Sequence, residues 1–103
     1  MPPSARFDLP HGPQLPPFLG EVVRRRREAL GLTQEQLAER ADLDRTQVGR
    51  IERGVTNPTS KGLLPLAIGL GTHPDVLFRE ARLALARANP WYVEAVARGR
   101  VRD

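Results

Sequence analysis

Apolar positions along this chain recur at spacings of three and four, and no segment sustains the period-two alternation of a half-buried strand. The pattern predicts an all-α fold whose helices are cut short by glycine and proline. Pro17 stands in the opening turn of a first helix over 17–30, with Leu19, Val22, Val23 and Leu30 on one side and Gly31 at its end. Thr33-Gln34-Glu35-Gln36 has the spacing of a capping box, in which the hydroxyl accepts from the third helical amide and Gln36 reaches back to the cap. A second helix follows over 34–40. Asp44 is placed to cap a third over 45–53, closed by Gly54. Asn57-Pro58-Thr59 precedes a fourth helix near 60–70, ended by Gly71. Thr72-His73-Pro74-Asp75 is a further capping signature, opening a fifth helix that carries Val76, Leu77 and Phe78 and extends to Ala88. After Asn89-Pro90 a short amphipathic helix runs to about Arg98.

Residues 1–17 hold six of the ten prolines and show no apolar period, so they read as an extended or disordered arm. The expected organisation is therefore an arm over 1–17, a helical domain over 18–82 and a helical extension over 83–103. A length of 103 residues suits one core, and 40% apolar with 27% charged residues is the balance of a soluble globular domain.

The absence of cysteine excludes disulfides, thiolate zinc sites and cysteine nucleophiles. His11 and His73 lie far apart in the chain, which leaves no basis for a metal site, a cofactor or an acid/base enzyme. No apolar run approaches the ~20 residues of a membrane span, and a cytoplasmic protein is expected. Sixteen cations against twelve acids give a net charge of +4, which favours an anionic partner without identifying one. All the cations but Lys61 are arginine, a bias that genome composition produces as readily as selection for phosphate binding.

Function enters with helices two and three. They are short, joined by about four residues, and small or apolar where two steeply crossing helices touch: Leu37, Ala38 and Ala41 on one, Val48 and Ile51 on the other. This is helix-turn-helix spacing. The start of helix three presents Arg45, Thr46 and Gln47, with Arg50 a turn later, donors and acceptors suited to base edges in a major groove. Any exposed helix start is polar, so that row alone is weak. The joint pattern is more specific. Leu32 through Ala41, Val48-Gly49-Arg50-Ile51-Glu52-Arg53-Gly54, Asn57-Pro58-Thr59 and Leu63-Leu64-Pro65-Leu66-Ala67 resemble the Cro/CI-type, XRE-like helix-turn-helix transcriptional regulators over about 19–79.

The resemblance implies a five-helix, lambda-repressor-like DNA-binding bundle, here with a short extra C-terminal helix. It implies that Arg45, Thr46, Gln47 and Arg50 read bases, that Gln34 and Arg53 contact phosphates, and that Arg27 pairs with Glu52. The implied partner is double-stranded DNA bound by a homodimer, whose contact surface falls on helix five and on Leu83, Leu85, Val93 and Val96. Trp91 and Tyr92 fit packing or a dimer contact better than base stacking. A different class stays open, in which the same bundle is an interaction module such as an antitoxin whose main partner is another protein. The basic face of helix three argues against it.

Several positions depart from the family pattern. Asp42 replaces the usual turn glycine and is asked to adopt a left-handed conformation. Asp44 stands for the usual hydroxyl cap, Gly49 interrupts helix three, and Pro65 interrupts helix four. Arg26 occupies a commonly apolar position, so its stem must snorkel, and Arg24 and Arg25 are expected mostly in solvent.

Overall fold

The computed structural model describes residues 15–99 and is helical throughout its regular elements. In order these are α1 (Leu15–Ala29), α2 (Gln34–Ala41), α3 (Arg45–Glu52), α4 (Ser60–Gly69), α5 (Pro74–Ala88) and α6 (Pro90–Ala97). Among the described residues the all-α class and the five-helix lambda-repressor-like bundle with one added helix stand as expected. α1 lies against α3 and α5, α2 against α3 and α4, α4 touches α5, and α6 packs on α5.

The first helix opens earlier than its proline content suggested. Leu15, Pro16 and Pro17 form its first turn, where the missing proline amides would have had no intrahelical acceptor anyway. The rest of the expected arm, with His11, lies outside the described residues. At the other end α5 runs to Ala88 and α6 starts at Pro90, so the chain breaks at Asn89-Pro90 as the sequence predicts. His73, not Thr72, caps α5, and it does so without a side-chain hydrogen bond, with Pro74 at the first helical position.

One apolar cluster holds the bundle: Leu19, Val22 and Val23 of α1, Leu37, Ala38 and Ala41 of α2, Val48 and Ile51 of α3, Leu66, Ala67 and Leu70 around α4, and Leu77 and Ala81 of α5. Burying each larger side chain contributes about 1.5–3 kcal/mol, so α2 and α3 are fixed mainly by their shared apolar faces. Leu30 is not part of this seam. It lies just past the last turn of α1, where Gly31 reverses the chain, and is half exposed. Leu85 also departs from expectation: together with Ala95 it is buried within the chain's own fold, whereas Leu83, Val93 and Val96 stay exposed.

α1 and α3 meet unusually closely. A β-carbon on Gly20 would lie 2.3 Å from the Ile51 carbonyl oxygen and 2.6 Å from that of Glu52, so only glycine admits this approach. The contact sets the position of the C-terminal half of α3.

Candidate nucleic-acid interface

The turn between α2 and α3 is built by three residues with distinct tasks. Asp42 takes the left-handed conformation (φ 53°, ψ 42°), and the Leu43 amide then donates to the Ala38 carbonyl at 2.8 Å. Aspartate tolerates this region better than most residues, which is how the turn forms without glycine. Asp44 then starts α3, its carboxylate accepting from the Gln47 amide at 3.2 Å. Short turn and buried Ala38 together bring the start of α3 to the surface.

Both helices of the motif open with a reciprocal box. In α2 the Thr33 hydroxyl accepts from the Gln36 amide at 3.0 Å, and Gln36 Oε1 accepts from the Thr33 amide at 2.9 Å, as the sequence predicts. In α3 Gln47 Oε1 accepts from the Asp44 amide at 3.0 Å and completes a second box. The spacing Asp44-Arg45-Thr46-Gln47 carried that signal, and reading Gln47 only as a base contact passed over it.

Arg45, Thr46 and Arg50 are exposed, and among the described residues their side chains form no hydrogen bond or ion pair. Gln47 is exposed too, but its carbonyl oxygen is engaged. A cleft of about 270 Å³ runs beside this row, with Gln47, Arg50 and Ile51 on one side and Asn57, Pro58 and Thr59 on the other.

Behind the row, Glu52 collects three donors. Arg27 Nε donates to Oε2 at 2.6 Å and Nη2 to Oε1 at 3.0 Å, while Gln34 Nε2 donates to Oε1 at 3.1 Å. Arg27 also donates through Nη1 to the Leu32 carbonyl at 2.8 Å, so one guanidinium ties α1 to α3 and to the loop before α2. Its hydrogen bond to Glu52 holds the guanidinium pKa above the ordinary arginine value. The pair is largely withdrawn from water, with 11% of the Arg27 and 3% of the Glu52 side chain accessible.

Gly49 explains how Gln34 and Arg53 come together. A β-carbon there would lie 3.2 Å from Arg53 Nη1 and 3.7 Å from Gln34 Oε1. The missing side chain leaves room over α3 for two polar groups, one from α2 and one from the residue that caps the end of α3. The two residues expected at phosphates are thus neighbours over Gly49.

Arg26, expected to snorkel, instead donates from Nε and Nη2 to the two oxygens of Glu80 on α5, at 2.9 and 2.6 Å. Arg24 pairs with Glu21 on the exposed side of α1. Neither arginine belongs to the α3 surface. Among the described residues no group of three or more acidic, histidine or cysteine side chains gathers to hold a metal. No described helix is long and apolar enough to cross a membrane.

A family model described as helix-turn-helix matches residues 23–77, just over half of the chain, and spans this whole arrangement. The chain belongs to the helix-turn-helix family. Within it, the Cro/CI-type resemblance is supported by individual relatives. The control protein C.SmaI of Serratia marcescens is 44% identical over 64 residues, covering 61% of this chain and 76% of that protein. The restriction-modification controller protein C.AhdI of Aeromonas hydrophila is 41% identical, covers 59% of this chain and 92% of its own, and superposes with a TM-score of 0.57. The controller protein C.Esp1396I, solved as a tetramer in complex with its natural 35 base-pair operator, is 34% identical with a TM-score of 0.62, over 69% of this chain and 93% of that one.

Proposed function

We propose that this chain is a sequence-specific, double-stranded-DNA-binding transcriptional regulator of repressor or controller type, acting in the cytoplasm as a homodimer on a two-fold symmetric operator. The observation that carries the reading is the open row of Arg45, Thr46 and Arg50 at the start of α3, without a side-chain partner among the described residues and flanked by Gln34 and Arg53. A helix start of this size enters a major groove, and side chains one turn apart meet successive base edges. Gln34 and Arg53, on the flank, serve the phosphates of the groove wall and set the register.

The relatives support the same reading, since controller proteins dominate the matches and one of them is bound to its operator. One bundle offers few base contacts, and pairing doubles them. Leu83, Val93 and Val96 provide exposed apolar surface for the second copy, on α5 and α6 and away from α3.

Selection of bound duplexes from a random pool tests the proposal. It should enrich one motif with two-fold symmetry; binding with no enriched motif would reduce the chain to a non-specific DNA binder, and no binding would favour a protein partner.

A further inference from the structure

We infer that Gln47 governs operator choice by holding the start of α3 in place, not by reading a base, and that the operator half-site is read chiefly as guanines by Arg45 and Arg50. The inference rests on the DNA-binding reading above and narrows its ligand.

The hydrogen bonds decide it. A glutamine reads adenine by accepting from N6 and donating to N7 at once, which requires a free Oε1 and a free Nε2. Gln47 Oε1 already accepts from the Asp44 amide at 3.0 Å, and the Gln47 amide donates in return to the Asp44 carboxylate at 3.2 Å. Turned back along α3, the carboxamide offers only its N–H groups outward. The same device at the start of α2 keeps Gln36 on the Thr33 amide, so both helices of the motif have their first turns closed.

The remaining row is then chemically simple. Arg45 and Arg50 carry donors only, and a guanidinium matches the paired acceptors O6 and N7 of guanine. Thr46 adds one hydroxyl and one methyl, which suits either base type. No other side chain in the row presents an acceptor atom and a donor atom side by side, as the bidentate contact to adenine requires. The position of Arg45 at the first residue of α3 depends on the turn that Asp44 and Gln47 close, so loosening the box blurs several base contacts together.

Three variants and two measurements test this: Gln47→Ala, Asp44→Ala and their combination, assayed by urea melts and by affinity for the selected duplex and its single-position substitutions. Either single variant should weaken binding to the selected duplex up to about five-fold and flatten preference over the same group of positions. In the melts each single variant should lose one of the two bonds of the box and the double variant both, while the positions at which the double variant loses preference should be those lost by either single one. Gln47→Glu, whose carboxylate can also accept from the Asp44 amide, should restore the preference profile even if its charge lowers affinity for every duplex alike. In the wild-type motif, guanines should occupy the positions whose preference Arg45→Ala and Arg50→Ala abolish.

Loss of preference at one adenine position in Gln47→Ala, with Asp44→Ala unaffected, would overturn the inference and make Gln47 a direct reader. An unchanged melt in Gln47→Ala would overturn it as well, because the Gln47 side chain would then not help to hold the cap. A wild-type protein that enriches no duplex would instead sink the DNA-binding reading, while the melts alone would still decide whether the cap exists.

Discussion

Arg27 on α1 grips Glu52, the last residue of α3, through two parallel hydrogen bonds of 2.6 and 3.0 Å in a site that little water reaches. Because Gln34 donates to the same carboxylate, the pair joins three helices at one point. Removing one member leaves the other charge buried and unpaired, a cost of about 3 kcal/mol. Arg27→Ala should therefore lower the urea midpoint sharply, whereas Arg25→Ala, on a side chain 62% exposed, should leave it near wild type. Equal midpoints would show that the pair does not hold the bundle.

Gly20 offers a second stability test, one of space rather than charge. Alanine there drives a β-carbon into two backbone carbonyls of α3, which cannot turn aside as a side chain can, and should cost about 3 kcal/mol or more. Gly71→Ala meets nothing within 4 Å and suffers only its left-handed backbone (φ +72°), about 1 to 2 kcal/mol. Thermal melts of the two variants should rank Gly20→Ala as the more damaging; the reverse order would mean that α1 and α3 can separate at little cost.

The Arg26–Glu80 pair gives a pH dependence of definite sign. The hydrogen bond from Arg26, more than the charge itself, holds the Glu80 carboxyl below its ordinary pKa. A carboxylate with a lowered folded-state pKa adds stability above its unfolded pKa and loses it as the pH falls through the folded value. Wild type should thus exceed Glu80→Gln at neutral pH by about 1 kcal/mol or less, since both side chains are about one-third accessible. The difference should start to shrink as melts are taken below the ordinary carboxylate range, at about pH 4, and vanish only below the lowered folded-state value. A gap that persists in acid would assign it to packing.

Arg53 should behave as a backbone contact. Arg53→Ala is expected to weaken operator and random duplexes by a similar factor and to lower the slope of log affinity against log salt by about one unit. An unchanged slope in a salt titration would remove it from the phosphates.

The helices were readable because their punctuation is local: Thr33 and Gln36 make their box, Gly31 and Gly54 end their helices, and Leu37, Ala38, Val48 and Ile51 face inward at helical spacing. What escaped was set by the tertiary fold or by competition for one side chain. Arg26 finds Glu80 54 residues away, which no periodicity reveals. Leu85 looks like surface on α5 alone and is buried in a fold that carries α6 on that helix. Gln47 fits both a cap and a base reader in sequence, and only the position of its carbonyl separates them. Pro16 looked like part of a helix-breaking arm, yet it joins Pro17 in the first turn of α1, where proline does no harm.

The central claim is that the open start of α3 reads an operator base by base. Parallel selections from one random duplex pool, with the wild-type chain and with Arg50→Ala, test it most directly. The account predicts a two-fold symmetric motif for wild type, and for Arg50→Ala the same motif with preference lost at one position in each half. Identical motifs from both proteins, or a motif altered uniformly along its length, would contradict it.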